Sequence, residues 1–251
     1  MKKINNALNL ILPLFSILVV FALWGVASSS INNEYILPSV KKTFEALLSL
    51  ATRKDFYIAL FSTLLRSLIA FVSSFLMGFG LAFLRSRKEI TSRLIDPIIS
   101  VIRALPTIAV VLLLLFWTNS RVAPIIVTLL VVLPTSYTNL YAGFSAVNKN
   151  AVEAGKVDGA NGWQLFAFIE FPQITPVFYK AIGSGFSLNF KLMVAAEVIA
   201  QTANCLGYML NTSKIYFEVA EMMALVLVSV AVGVLIEFIF NKISDKVGAW
   251  R

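Results

Sequence analysis

Asn150-Ala-Val-Glu153-Ala-Gly155-Lys-Val-Asp158-Gly159-Ala-Asn161-Gly-Trp163-Gln-Leu-Phe166-Ala-Phe168-Ile169-Glu-Phe-Pro172-Gln-Ile-Thr-Pro176 is a polar, glycine-punctuated interruption in a chain made mostly of apolar runs. Asn150 followed three residues later by Glu153 is a capping-box pattern and predicts a helix from Ala151. Gly159 is a natural stop for that helix. Asn161 with Gln164 repeats the start signal, and Pro172 limits the helix begun there. The expectation is two short helices joined at the Gly159-Ala160-Asn161-Gly162 bend, a compact knob carried between membrane segments. On composition alone an ordinary polar loop between two spans fits equally well, so the flanking chain has to decide.

The chain has 251 residues, of which 59% are hydrophobic and 14% charged, with a mean hydropathy of +0.84. Soluble domains are about half apolar and a quarter charged. Several apolar runs of near span length therefore make this a polytopic membrane protein. Without alternation of period two the runs are helices, because a backbone in lipid must satisfy its own hydrogen bonds. The net charge of +8 fits the Lys and Arg bias of one membrane side better than nucleic acid, since the basic residues form no stripe with interleaved aromatics. The lone Cys205 excludes an intrachain disulfide and a cysteine metal cluster, and the absence of histidine removes the usual general base and zinc ligand. No cofactor is expected.

Six spans are expected, at 8–27, 57–84, 97–117, 123–144, 177–200 and 222–240. The charged start, the first apolar run and Ala27-Ser-Ser-Ser also fit a signal peptide; the length of the run and the five candidate spans beyond it favour an uncleaved first span. Leu37-Pro38-Ser39 precedes a segment with Val40, Phe44, Leu47 and Leu48 at helical spacing. This predicts an amphipathic helix lying on the bilayer surface or packed on the protein. Ser74 and Gly78 give a small-xxx-small spacing that lets helix backbones approach closely. Arg66, early in the second span, fits a snorkelling role.

An even number of spans puts both termini on one side. That side also holds Arg85, Arg87, Lys88, Arg93, Lys149 and Lys156, together with Lys2, Lys3, Lys242, Lys246 and Arg251, whereas the other holds only Lys41, Lys42, Arg53, Lys54, Arg121 and Lys214. The termini and the 150–176 stretch are therefore expected in the cytoplasm. One membrane domain, 1–251, is expected, with no separate soluble unit.

There is no G-x-x-x-x-G-K-[ST] phosphate cradle, and no nucleophile stands with a positioned base. Transport, not catalysis, is the expected work. Charged groups within a bilayer are costly and face a bundle interior or a pathway. Lys191 and Glu197 in the fifth span are such groups, and Asn189 lies beside them. Six positions separate Lys191 from Glu197, so they do not pair along one helix face. Either they face a translocation path, or Glu197 lies near the outer interface and Lys191 snorkels or pairs with another helix. Arg103, at the start of the third span, is a weaker candidate for the same path.

The cytoplasmic stretch resembles the EAA loop of permease subunits of bacterial ABC importers. That family pattern reads E-A-A, three residues, G, nine residues, I, one residue, an apolar residue, P. Here Glu153-Ala154-Gly155 stands for E-A-A, with Gly159, Ile169, Phe171 and Pro172 at the family spacing and Lys156 and Asp158 between. Glycine for the third alanine is the main departure. Leu37-Pro38-Ser39, Asp96-Pro97, Arg103-Ala-Leu-Pro106, Trp163-Gln-Leu-Phe166 and Lys191-Leu-Met-Val-Ala-Ala-Glu197 followed by Leu206-Gly207 are similar to the nitrate, sulfonate and taurine branch, whose members are also assigned to thiamine-precursor uptake.

The resemblance implies a type I importer fold in the bacterial inner membrane. Residues 150–172 would couple it to cytoplasmic ATP-binding subunits. It further implies an extracytoplasmic substrate-binding protein, a permease homodimer, ATP hydrolysis on the partner chain, and a path lined by the third and fifth spans. Trp163, Phe166 and Phe168 would anchor the knob to the bundle. A secondary transporter or channel working without ATP, and a non-transporting scaffold, are the rival readings. The first of these commonly shows two related halves, and no internal repeat is evident in the chain.

Overall fold

The computed structural model describes residues 2–248, without the side chains of 2–11, 13, 14 and 89. Arg251 lies outside the described residues, and so do the side chains of Lys2 and Lys3 and the first part of the run expected to span at 8–27. Every regular element among the described residues is a helix. In order these are α1 (Lys2–Ile31), α2 (Val40–Thr52), α3 (Lys54–Arg87), α4 (Glu89–Ala104), α5 (Thr107–Trp117), α6 (Ala123–Ser145), α7 (Lys149–Val157), α8 (Gly162–Leu165), α9 (Phe171–Ala200), α10 (Leu206–Ile215) and α11 (Val219–Gly248), with a π-helical turn at Phe166–Glu170 joining α8 to α9.

α3, α6 and α9 form the centre, and α11 packs along α9. The seam on α3 is a stripe of small residues: Ala59, Thr63, Ser67, Ala70, Ser74, Gly78 and Ala82 are all buried. In lipid, helices gain little by hiding apolar surface from water, so close backbone packing holds them together. The expected approach at Ser74 and Gly78 is there. A Cβ placed on Gly78 would lie 2.9 Å from Ser136 Cβ and 3.0 Å from the Tyr137 backbone nitrogen on α6. Gly183 does the same on the other side of the core, where a Cβ would lie 2.8 Å from Phe240 Cβ of α11.

Among the described residues, four helices are long and apolar enough to cross a membrane: α3, α6, the continuous helix Gly162–Ala200, and α11. The stretch expected as a third span at 97–117 is instead two helices, α4 and α5, bent by 93°. Leu105 is extended at ψ 127° and Pro106 has no N–H to give to the preceding turn, so the helix cannot run through. The eleven residues of α5 reach about 16 Å, short of a hydrocarbon core of about 30 Å. Counting the bent pair as one crossing gives five candidate spans, and Phe15–Ile31 within α1 is a shorter apolar helix.

The Leu37-Pro38-Ser39 stretch fixes α2 as expected, with the Ser39 hydroxyl accepting from the Lys42 N–H. Trp24 Nε1 donates to the Pro38 carbonyl at 3.0 Å, which ties α1 to the start of α2. α2 packs on α11, and its Thr43 and Leu50 are buried while Leu48 stays exposed. The apolar side of α2 thus divides between the bundle and the outside.

Gly78→Leu should overpack the α3–α6 seam and cost about 1–3 kcal/mol. Gly80→Leu, where a Cβ has nothing within 4 Å, should cost little. Unfolding of the two variants in mixed micelles compares them, and equal losses would contradict the assigned seam.

Candidate functional site

α7 begins earlier than the capping pattern predicts. Its N-cap is Asn148, not Asn150: the Asn148 side chain accepts from the backbone N–H of Asn150 at 3.0 Å and of Ala151 at 3.4 Å. The Asn148 N–H in turn donates to Gln173 Oε1 at 2.9 Å, fastening the start of α7 to α9. Gly159 ends the helix as expected, at φ +81°, a region open to glycine at no steric cost. Ala160 N–H closes the turn on the Gly155 carbonyl at 3.0 Å. The second start is the expected capping box, with Gln164 N–H to Asn161 Oδ1 at 2.9 Å and Asn161 N–H to Gln164 Oε1 at 2.8 Å.

Beyond this cap the chain does not form a separate second short helix. α8 continues through the π-helical turn into α9, making one helix from Gly162 to Ala200. The Phe171 N–H reaches back five residues to the Phe166 carbonyl, and Pro172 comes next. A wider turn there changes the hydrogen-bond register ahead of a residue with no N–H, so the helix continues through Pro172. The hairpin is therefore the end of a span.

Gly155, the residue standing for the third alanine, is the contact between the two arms. A Cβ on it would lie 2.6 Å from Ile169 Cδ1 and 2.8 Å from Leu165 Cδ2. Of the three aromatics expected to anchor the knob, Phe166 does so, its ring 5.3 Å from Phe83 and 5.7 Å from Phe171. Trp163 and Phe168 instead stand 72% and 76% exposed, because α8 and the π turn direct Leu165 and Ile169 inward.

Two ion pairs bind the hairpin end of the bundle. Arg87, the last residue of α3, grips Glu170 with both guanidinium nitrogens, at 2.8 and 2.5 Å, and Glu170 is buried. A bidentate pair fixes direction as well as distance. The Arg87 guanidinium also lies 4.5 Å from the centre of the Phe83 ring. Beside it Arg85 pairs with Asp96 of α4 at 2.8 Å, donates to the Tyr137 hydroxyl at 3.0 Å and stacks on Tyr141 at 3.8 Å. Sequence reasoning placed Arg85 and Arg87 among the basic residues of one membrane side and gave Glu170 no role. The available signal was an acid inside Phe-Ala-Phe-Ile-Glu-Phe.

The coupling candidates fall on different faces. Ala154, Asp158 and Gly159 are exposed near the tip with Val157, which is 87% exposed. A hollow of about 360 Å³ lies beside them, lined by Asp158, Gly159, Ala160, Gln164, Phe168 and Ile169. Gly155 is inside the hairpin. Glu153 and Lys156 face a separate crevice toward the span ends. Pro172 is exposed at the start of α9.

The path candidates are not brought together. Glu197 is fully buried, with Arg66 on one oxygen at 2.8 Å and Thr63 on the other at 2.8 Å. Arg66 therefore turns inward instead of snorkelling. The N-terminus of α10 closes over this pair: Leu206 N–H donates to Thr63 Oγ1 at 3.0 Å and Gly207 N–H to Glu197 at 3.4 Å. Only glycine fits at 207, since a Cβ would lie 2.4 Å from Glu197 Cβ. Asn189 is buried and donates to the Ser67 carbonyl at 2.8 Å. Lys191 is exposed, its stem near Gly233 of α11, and has no ion-pair partner among the described residues. Arg103 is exposed and donates to Thr138 Oγ1 at 2.8 Å.

A bundle of apolar helices with an interrupted helix pair and a two-armed hairpin at one end fits a membrane permease. Residues 74–248 match the family described as binding-protein-dependent transport system inner membrane component, and the chain belongs to that family. It is 23% identical over 234 residues to the taurine transport system permease protein TauC of Escherichia coli, covering 91% of this chain and 85% of that one. It is 20% identical to the putative aliphatic sulfonates transport permease protein SsuC of Bacillus subtilis, over 93% and 85% of the two chains. The fold is that of ABC importer permeases. A bacterial alginate ABC transporter aligns with TM-score 0.67 at 15% identity, over 97% of this chain and 99% of that one. The inward-facing MetNI methionine ABC transporter aligns with TM-score 0.65 at 17% identity, over 75% and 94%.

Arg87→Ala should leave the buried Glu170 carboxylate without its cation, at a cost of about 1–3 kcal/mol. Amide exchange in residues 149–172 should rise while the centres of α3 and α6 stay protected. Unchanged exchange in the hairpin would show that the pair does not hold it.

Proposed function

We propose that this chain is the permease subunit of an ATP-driven importer in the bacterial inner membrane, working as a homodimer with two cytoplasmic ATP-binding subunits and an extracytoplasmic binding protein. The hairpin and both termini face the cytoplasm, as the distribution of Lys and Arg favours, with α1 and the bent α4–α5 pair completing six crossings. The observation that carries the coupling role is the tip. Val157, Trp163 and Phe168 are large, apolar and exposed on a hairpin held to α3 by Arg87–Glu170 and to α9 by unbroken helix. Exposed aromatic and aliphatic anchors around a hollow are what a partner surface fills.

Ala154, Asp158, Gly159 and Ile169 surround that surface. Gly155 and Pro172 set its shape, and Glu153 and Lys156 border it. Closure of the ATP-binding subunits would press the two hairpins together and turn α9, opening the path to alternate sides. Lys191, Arg103, Asn189 and Glu197 are the candidates along that path, the first two as exposed cations facing a small polar or anionic solute. Taurine and aliphatic sulfonates, named for two relatives, fall in that class.

Reconstitution with the ATP-binding subunits and the binding protein tests this. Gly159→Arg puts a bulky cation at a φ of +81° on the docking surface. It should lower uptake and coupled ATP hydrolysis by at least about tenfold, the loss of one interface anchor of 1.4 kcal/mol or more, with membrane insertion unchanged. Lys191→Ala should raise the KM for an anionic substrate. Normal coupling in the first variant would remove the hairpin from the mechanism. Uptake by this chain alone would favour a transporter that needs no ATP.

A further inference from the structure

Two cavities lie away from the exposed tip. Between α3 and α11, floored by α9, runs a groove of about 680 Å³ whose lining is apolar throughout, with Phe75, Phe178 and Phe240 contributed by the three helices. Its wall residues Val72 and Leu76 are exposed. Edge-on ring contacts, such as Phe75 to Phe178 at 5.2 Å, join its α3 wall to its floor. At the hairpin end a crevice of about 690 Å³ opens between the ends of α3, α6 and α7. Its uncommitted groups are nearly all donors. Lys149 and Lys156 have no carboxylate within ion-pair distance among the described residues, and Arg85 Nε is buried without a partner. Of the two acids of the lining, Glu170 is engaged by Arg87, which leaves Glu153 uncommitted.

The cavities are one ring apart. Phe166 lines the groove, its ring lies 5.3 Å from Phe83, and the Arg87 guanidinium, which lines the crevice, sits 4.5 Å from that same Phe83 ring. We propose that groove and crevice together hold one anionic phospholipid, an acyl chain in the groove and its phosphate among the donors of the crevice. A soluble oxyanion has no use for the apolar groove, and a neutral lipid leaves the two lysines without an anion. Basic pockets between membrane helices recognise lipid headgroups by this chemistry. None of the exposed tip residues Val157, Trp163 and Phe168 lines the crevice, so the lipid leaves them free.

The test needs only the full-length permease in phosphatidylcholine nanodiscs, so its failure leaves the coupling reading standing. Phosphatidylglycerol with a photoreactive acyl chain should label α3 near Val72 and α9 near Phe178. It should do so on the order of tenfold more than the phosphatidylcholine analogue, and Lys149→Gln with Lys156→Gln should remove most of that preference. Equal labelling by both lipids, unaffected by the double variant, would overturn the proposal. So would competition by millimolar inorganic phosphate combined with undiminished labelling in Val72→Trp, which would assign the crevice to a soluble anion.

Discussion

The helix that begins at Gly162 passes Pro172 and Pro176 and ends only at Ala200. Two prolines in a helix would ordinarily mark a hinge, because each removes a backbone hydrogen bond. Here the π turn at Phe166–Glu170 takes up the change of register, and Arg87 clamps its last residue to α3. One arm of the hairpin is in consequence continuous with α9. In the proposed coupling, a push on Val157 or Trp163 would be delivered to the span that carries Asn189, Lys191 and Glu197.

The interior of the bundle is held by close backbone packing and by buried polar contacts. Small residues on α3 bring its backbone against α6, and Gly183 brings α9 against α11. One pair of charged side chains is matched deep within the spans: Arg66 and Glu197 meet, with Thr63 and the N-terminus of α10 completing the carboxylate's partners. A buried pair of this sort adds little net stability, and removing either member is costly. Its effect is to lock α3, α9 and α10 in one arrangement at the end of the bundle opposite the hairpin.

Much of this was legible in the residues. Long apolar runs gave the helices, the Ser74–Gly78 spacing gave a close packing site, and Asn161 with Gln164 gave a capping box found in place. Other features depended on distance in sequence. Asn148 outcompeted Asn150 as a cap because Gln173 fixes its backbone from 25 residues away. The third span broke because Leu105 before Pro106 must be extended, a local rule that hydropathy along 97–117 overrode. The Arg87–Glu170 and Arg66–Glu197 pairs join residues 83 and 131 positions apart, and spacing along one helix could say only that Lys191 and Glu197 do not face each other. Trp163 and Phe168 were read as anchors because they are aromatic. The π turn gives the inward positions to Leu165 and Ile169 and leaves both rings outside.

The central claim is that hairpin and spans move as one body. It is tested most directly by electron–electron distance measurements between spin labels on Val157 and Ser86 of one subunit, in the assembled transporter with and without trapped nucleotide. The account predicts the same distance in both states, while the distance between the two Val157 labels of the dimer shortens. A change of several ångströms within the subunit, with the spans unmoved, would mean that the hairpin pivots at Pro172 and would contradict it.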